Sequence, residues 1–233
     1  MPAAQKATKT KAKPAATAKK PASRPPAKRK AAPVKTVLKG APKTAPRAAA
    51  PKAPPERFGV IEVGGKPATV IGEEVSVGQK APHFKGQVGS WLGLDTWMEV
   101  DPLDATRGQV RILAAVPSLD TSTCDLETRR FNAEAVNLGE AVRIITLSTD
   151  LPVAQKRWCG AAGVERVVTV SDHMAADFGV KYGVLIKERR WLRRAVFVVD
   201  QDDVIQYAAY MTKLSDHPDY DAVLLATRNL LAA

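Results

Sequence analysis

The stretch VRILAAVPSLDTSTCDLETRRFNAEAV, residues 110–136, changes its periodicity half-way along. Residues 110–116 are a short apolar run, rich in β-branched residues, of the kind found in strands covered on both faces. Ser122, with Asp125 three residues on, has the spacing of a capping box, so a helix is expected to begin there with Cys124 in its first turn. Unpaired backbone N–H groups and the positive end of the helix dipole favour a thiolate at such a position. Asp120, Asp125 and Glu127 oppose it, because nearby carboxylates disfavour a second negative charge. A compensating cation is therefore expected. Arg129 and Arg130 do not share the face of Cys124, so it has to come from another part of the chain.

The pattern repeats on both sides of this unit. Upstream, FGVIEVGGKPATVIG (58–72) alternates apolar and polar residues around Gly-Gly-Lys-Pro and reads as a hairpin. Downstream, AVRIITLS (141–148), VERVVTVS (164–171) and RAVFVVD (194–200) are further buried-type strands. Helical stretches are expected between them, at LPVAQKRWCG (151–160) and DHMAADFGVKYG (172–183). RAVFVVD turns at DQDD into VIQYAAY, an antiparallel partner, and HPDYDAVLLATRNLLAA (217–233) closes the chain as an amphipathic helix. βαβ units followed by a hairpin and a terminal helix imply an α/β architecture, a small mixed central sheet flanked by helices. That is the layout of a thioredoxin-like fold.

Composition divides the 233 residues unevenly. Residues 1–55 hold 15 of the 35 Lys and Arg residues, 11 of the 17 prolines and no acidic residue. The rest carries 20 basic and 24 acidic side chains, so the net charge of +11 is a property of the tail alone. Proline breaks any helix that Ala and Lys would favour, and too little apolar bulk is present to repay ordering. Residues 1–56 are expected to be a disordered basic tail and residues 57–233 one domain. The tail lacks the apolar core of a secretory signal, and no apolar run is long enough to span a bilayer. Two cysteines without an export signal point to a reducing, cytoplasmic setting, where such a pair is more often catalytic than structural.

Pro117, Thr121 and Cys124 reproduce the Pro-x-x-x-Thr-x-x-Cys motif of peroxiredoxins, and VPSLDTSTC with RRFNAEA resembles the thiol peroxidase subfamily. The resemblance runs through LSTDLPVAQKRWCGAAGVERVVTVSD and RRAVFVVD, covering roughly residues 57–233. It implies that Cys124 is the peroxidatic cysteine and Cys159 the resolving one. It implies that Thr121 hydrogen-bonds the thiolate and peroxide, that Pro117 shields the pocket, and that Arg194 supplies the missing cation. The implied activity is reduction of hydrogen peroxide and organic hydroperoxides through a sulfenic acid and an intrachain disulfide. Thioredoxin would return the electrons; no metal, flavin or haem is called for. A homodimer is expected.

The departures from that pattern matter as well. HFKGQVGSWLGLDTWMEVD (83–101) lacks the apolar alternation expected of a strand, and Trp158 stands where Phe is usual. Arg193 is the alternative to Arg194 within KERRWLRR. His83, His173 and His217 are scattered, without metal-ligand spacing, and read as surface or capping residues. The tail has no counterpart in the enzyme family and looks like the tails of linker-histone-type proteins. Lysines on a flexible chain bind phosphate backbones without reading sequence. A second reading therefore makes residues 1–55 a DNA-binding element and the thiol domain an oxidant sensor.

Overall fold

In a computed structural model, residues 53–232 are described; the basic tail expected over residues 1–56 lies almost wholly outside them. The chain opens with the hairpin β1 (Glu56–Val63) and β2 (Lys66–Ile71), followed by β3 (Gly86–Ser90), β4 (Glu99–Val100) and α1 (Pro102–Ala105). Then come β5 (Val110–Ala115), α2 (Ser122–Leu138), β6 (Val142–Ser148), α3 (Pro152–Ala162), β7 (Val168–Ser171) and α4 (Asp177–Lys181). β8 (Leu185–Ile186), β9 (Trp191–Leu192), β10 (Ala195–Val199), β11 (Ile205–Tyr210) and α5 (Tyr220–Leu231) complete it.

Seven strands form a mixed sheet in the order β11-β10-β5-β6-β7-β3-β4, with β5, β6 and β7 parallel and the flanking pairs antiparallel. A smaller sheet runs β1-β2-β8-β9. This is a thioredoxin-like fold, with helices on both faces of the sheet. Every residue of β5 is buried, as its apolar run requires, and its one charged residue, Arg111, pairs with Asp203. Ile112 and Ala114 pack with Phe131, Trp158 and Val223 of α2, α3 and α5. The alternate residues Leu113 and Ala115 pack with Leu103 and Phe178 of α1 and α4. The larger sheet thus carries two apolar layers separated by one strand's thickness, and the smaller sheet holds a third cluster of Ile61, Ala68, Val70 and Ile186.

Two local expectations need correction. The helix expected over 172–183 shrinks to the five residues of α4, because the buried Asp172 carboxylate accepts the N–H groups of Phe178 and Gly179 at 3.1 and 2.8 Å and fixes the segment before it as a turn. The segment 83–101 does contribute strands, the short pair β3 and β4 at the sheet edge. Gly86 and Gly89 replace apolar alternation because β7 and α3 lie too close for side chains. A Cβ on Gly89 would stand 2.1 Å from Gln155 Oε1 and 2.8 Å from Thr169 Oγ1.

Candidate active site

β5 ends at Ala115, and Val116–Asp120 turns the chain into α2. Thr121, in extended conformation at φ −91°, is the N-cap, and Cys124 is the third residue of the helix. The expected capping box is not formed. No side chain caps α2; the Thr121 hydroxyl turns inward instead, 2.7 Å from Cys124 Sγ and 3.0 Å from the Ser118 carbonyl. The hydroxyl that could have closed the helix end serves the sulfur.

The awaited cation arrives from across the sheet. Arg194, the residue preceding β10, donates Nη2 to Cys124 Sγ at 3.2 Å, and its Nη2 and Nε reach the Leu214 carbonyl at 3.0 and 3.4 Å. Its Nη1 pairs with Glu127 Oε2, an ion pair in which both side chains are essentially inaccessible. Arg193 faces elsewhere, toward Glu74 and the Met211 carbonyl, so of the two candidates Arg194 is the one at the sulfur. Burial raises the Glu127 carboxyl to about 7 against the opposing pull of Arg194. Glu127 is the residue that the sequence reading missed. In sequence it reads as a charge opposing the thiolate, whereas it pairs with the guanidinium that lies beside the sulfur. Pro117 is buried in the same turn and, lacking a donor, adds no hydrogen bond.

Cys159 lies in the eighth position of α3, buried, with its sulfur 3.8 Å from Thr169 Oγ1 on β7. Desolvation pushes its thiol pKa up, against the hydroxyls of Thr169 and Ser90. The two cysteines are unbonded. β5 and β6 stand between β10, which carries Arg194 to Cys124, and β7, which carries Thr169 to Cys159. The two sulfurs thus sit in separate buried settings, Cys124 on α2 beside Thr121 and Arg194 and Cys159 on α3 beside Thr169. Two clefts, one bordered by Lys85 and Asp172 and the other by Ser90, Trp91 and Lys156, are not lined by Cys124.

A family model described as Redoxin matches residues 76–224. A thiol peroxidase of Oceanobacillus iheyensis is 52% identical over 158 residues, covering 68% of this chain and 92% of that protein. The chain belongs to the thiol peroxidase family. Another member, from Halalkalibacterium halodurans, is 46% identical over 171 residues, 73% of this chain and 98% of its own. A peroxiredoxin-like protein from Aquifex aeolicus superposes with a TM-score of 0.64 at 32% identity, covering 73% of this chain and 96% of that one. Like its family, this thiol peroxidase is a peroxiredoxin-type enzyme, a thiol-dependent peroxidase. Among its described residues, no helix is long and apolar enough to cross a membrane.

The histidines take varied places in this thiol peroxidase. His173 meets Ser171 Oγ, and His217 meets the Tyr220 hydroxyl at the start of α5. His83 is exposed, as expected of a surface residue. Its ring and the carboxylates of Asp101 and Asp104 present ligand-type atoms within 4.8 Å of one another, a grouping its isolation in sequence conceals. Its Nδ1 hydrogen-bonds Asp101 at 2.9 Å.

Proposed function

We propose that Cys124 is the peroxidatic cysteine and Cys159 the resolving cysteine of an atypical two-cysteine cycle. The observation that carries this is the convergence of Thr121 Oγ1 and Arg194 Nη2 on one buried sulfur. In the first step the Cys124 thiolate attacks one peroxide oxygen in line. The S–O bond forms, the O–O bond breaks, and the departing alkoxide or hydroxide takes a proton to leave as alcohol or water. Arg194 and Thr121 donate to both the nucleophile and the developing charge, and Pro117 walls the recess. In the second step Cys159, as thiol, condenses with the Cys124 sulfenic acid, releasing water and forming an intrachain disulfide. A thioredoxin-like dithiol then reduces the disulfide by exchange, becoming oxidised itself.

Intact mass decides the scheme. One equivalent of hydrogen peroxide added to the reduced chain is expected to remove two hydrogens from the monomer mass, and Cys159→Ser to gain one oxygen instead. Cys124→Ser is expected to do neither. Equal oxidation rates for wild type and Cys124→Ser would overturn the assignment.

Residues 57–233 would form the catalytic domain, cytoplasmic and homodimeric, with sedimentation velocity to test the last. For residues 1–56 the charge balance favours a basic extension that binds DNA without sequence preference, 15 positive side chains standing in its first 55 residues with no negative one.

A further inference from the structure

Gln155 is fully buried in α3, one turn before Cys159. Its Nε2 donates to Ser148 Oγ at 2.9 Å and to the Val170 carbonyl at 3.2 Å. A carbonyl only accepts, so the nitrogen must face that way. The other end of the amide, Oε1, is turned toward Gly89 and has no partner. The side chain therefore ties α3 to two parallel strands, β6 and β7, while leaving one buried polar atom unsatisfied.

The chain of contacts continues to the other cysteine. Ser148 Oγ donates to Asp150 Oδ2 at 2.8 Å, and the same carboxylate oxygen accepts the Leu119 N–H at 2.8 Å. Leu119 lies in the turn whose Ser118 carbonyl receives the Thr121 hydroxyl. Ser171 Oγ, bonded to the Asp150 carbonyl at 2.5 Å, braces the corner from β7. The segments bearing Cys124 and Cys159 are thus two ends of one polar chain, Thr121-Ser118-Leu119-Asp150-Ser148-Gln155.

We propose that Gln155 is a positioning residue, the latch that holds α3 and Cys159 in the buried arrangement and whose release admits Cys159 to the oxidised Cys124. It acts through α3 and not on the reacting atoms. Its two hydrogen bonds resist opening, while the unpartnered Oε1, a buried polar group short of a partner, keeps the closed state from being over-stabilised. The proposal rests on the reading of Cys159 as the resolving cysteine.

The test uses the full-length protein and two readouts. In a Cys124→Ser background, alkylation of Cys159 by a small thiol reagent requires α3 to open, since that sulfur is buried. Gln155→Met keeps the volume and loses both bonds. It is expected to raise the alkylation rate about tenfold, the effect of one to two net hydrogen bonds. With Cys124 present, the same change is expected to speed disulfide formation after oxidation and to lower the sulfinic fraction at high peroxide, with the first oxidation step unchanged. The control is Thr106→Val, which removes a buried hydrogen bond to the Pro102 carbonyl in α1 on the other face of the sheet and should move neither rate. Unchanged alkylation in Gln155→Met overturns the latch. So does faster alkylation without faster disulfide formation. If wild type forms no Cys124–Cys159 bond at all, the resolving role has failed, and the alkylation rates still judge what holds α3.

Discussion

Arg194 and Glu127 form a buried ion pair whose two residues serve the same sulfur from different elements, the one at the head of β10 and the other one helical turn beyond Cys124 on α2. Glu127 Oε1 has no partner, so the guanidinium is all that compensates this carboxylate. A carboxyl so placed holds its proton more tightly than in the unfolded chain, and that has consequences for stability.

Glu127 ionises near 4.5 when unfolded and at about 7 when folded. Between those values the folded state binds the extra proton, so its contribution to stability falls as pH rises and the loss is complete above about pH 7. Glu127→Gln removes this dependence while leaving an acceptor for Arg194. The difference in urea midpoint between variant and wild type is expected to move in the variant's favour from pH 4.5 to 7. A constant difference across that range would contradict the assignment.

Thr121 should separate by hydroxyl, not by size. Thr121→Val deletes the 2.7 Å contact to Cys124 Sγ and is expected to lower kcat/KM for peroxide by about 100-fold, in the range seen when one oriented donor is removed. Thr121→Ser keeps the donor and should stay within about tenfold of wild type. Stopped-flow oxidation under pseudo-first-order peroxide measures both, and a loss in Thr121→Ser as large as or larger than in Thr121→Val would overturn the role of the hydroxyl.

Trp158 neighbours Cys159, is packed in the α2-α3-α5 layer, and lies under the Arg129 guanidinium at 5.8 Å from the ring centre. Movement of α3 must expose it. Fluorescence is expected to change after Cys124 oxidation, at a rate that becomes independent of peroxide once peroxide is high. In Trp158→Phe that signal should vanish above the background of the three other tryptophans. Its persistence would mean that the sulfurs meet without α3 leaving its place.

Removing residues 1–55 is expected to leave peroxide reduction intact and to abolish DNA binding. In the full chain, affinity should drop by orders of magnitude as salt rises from about 50 to 200 mM, as expected for several phosphate contacts. Anisotropy titration with duplexes of unrelated sequence measures this. A truncated domain that binds equally well would acquit the tail.

The peroxidase core was legible where chemistry and local pattern coincide. Cys124 follows a strand and opens a helix within fifteen residues, and the need for a cation was inferable from three nearby acids even before Arg194 could be placed. What was illegible is long-range. Glu127 and Arg194 lie 67 residues apart, and no periodicity announces that one compensates the other. The capping box failed because Ser122 and Thr121 offer similar hydroxyls, and only the position of the sulfur decides that Thr121 is the cap and turns inward. β3 was hidden because Gly86 and Gly89 are there for the closeness of Val170 and Gln155, a demand that erases the alternation a strand otherwise shows.

The four arginines of the KERRWLRR segment look interchangeable as charge but are not spares for one another. Arg189 stacks on Trp191, Arg190 occupies a left-handed turn position at φ +54°, and Arg193 locks Glu74 at the end of the hairpin sheet. Only Arg194 has its guanidinium at the sulfur, because successive side chains of an extended chain point to opposite sides. The enzyme therefore carries no redundancy at this point. Loss of Arg194 cannot be made good by its neighbour, and a single-residue insertion between Arg194 and β10 would turn its guanidinium to the side that Arg193 now faces and leave the sulfur without its cation.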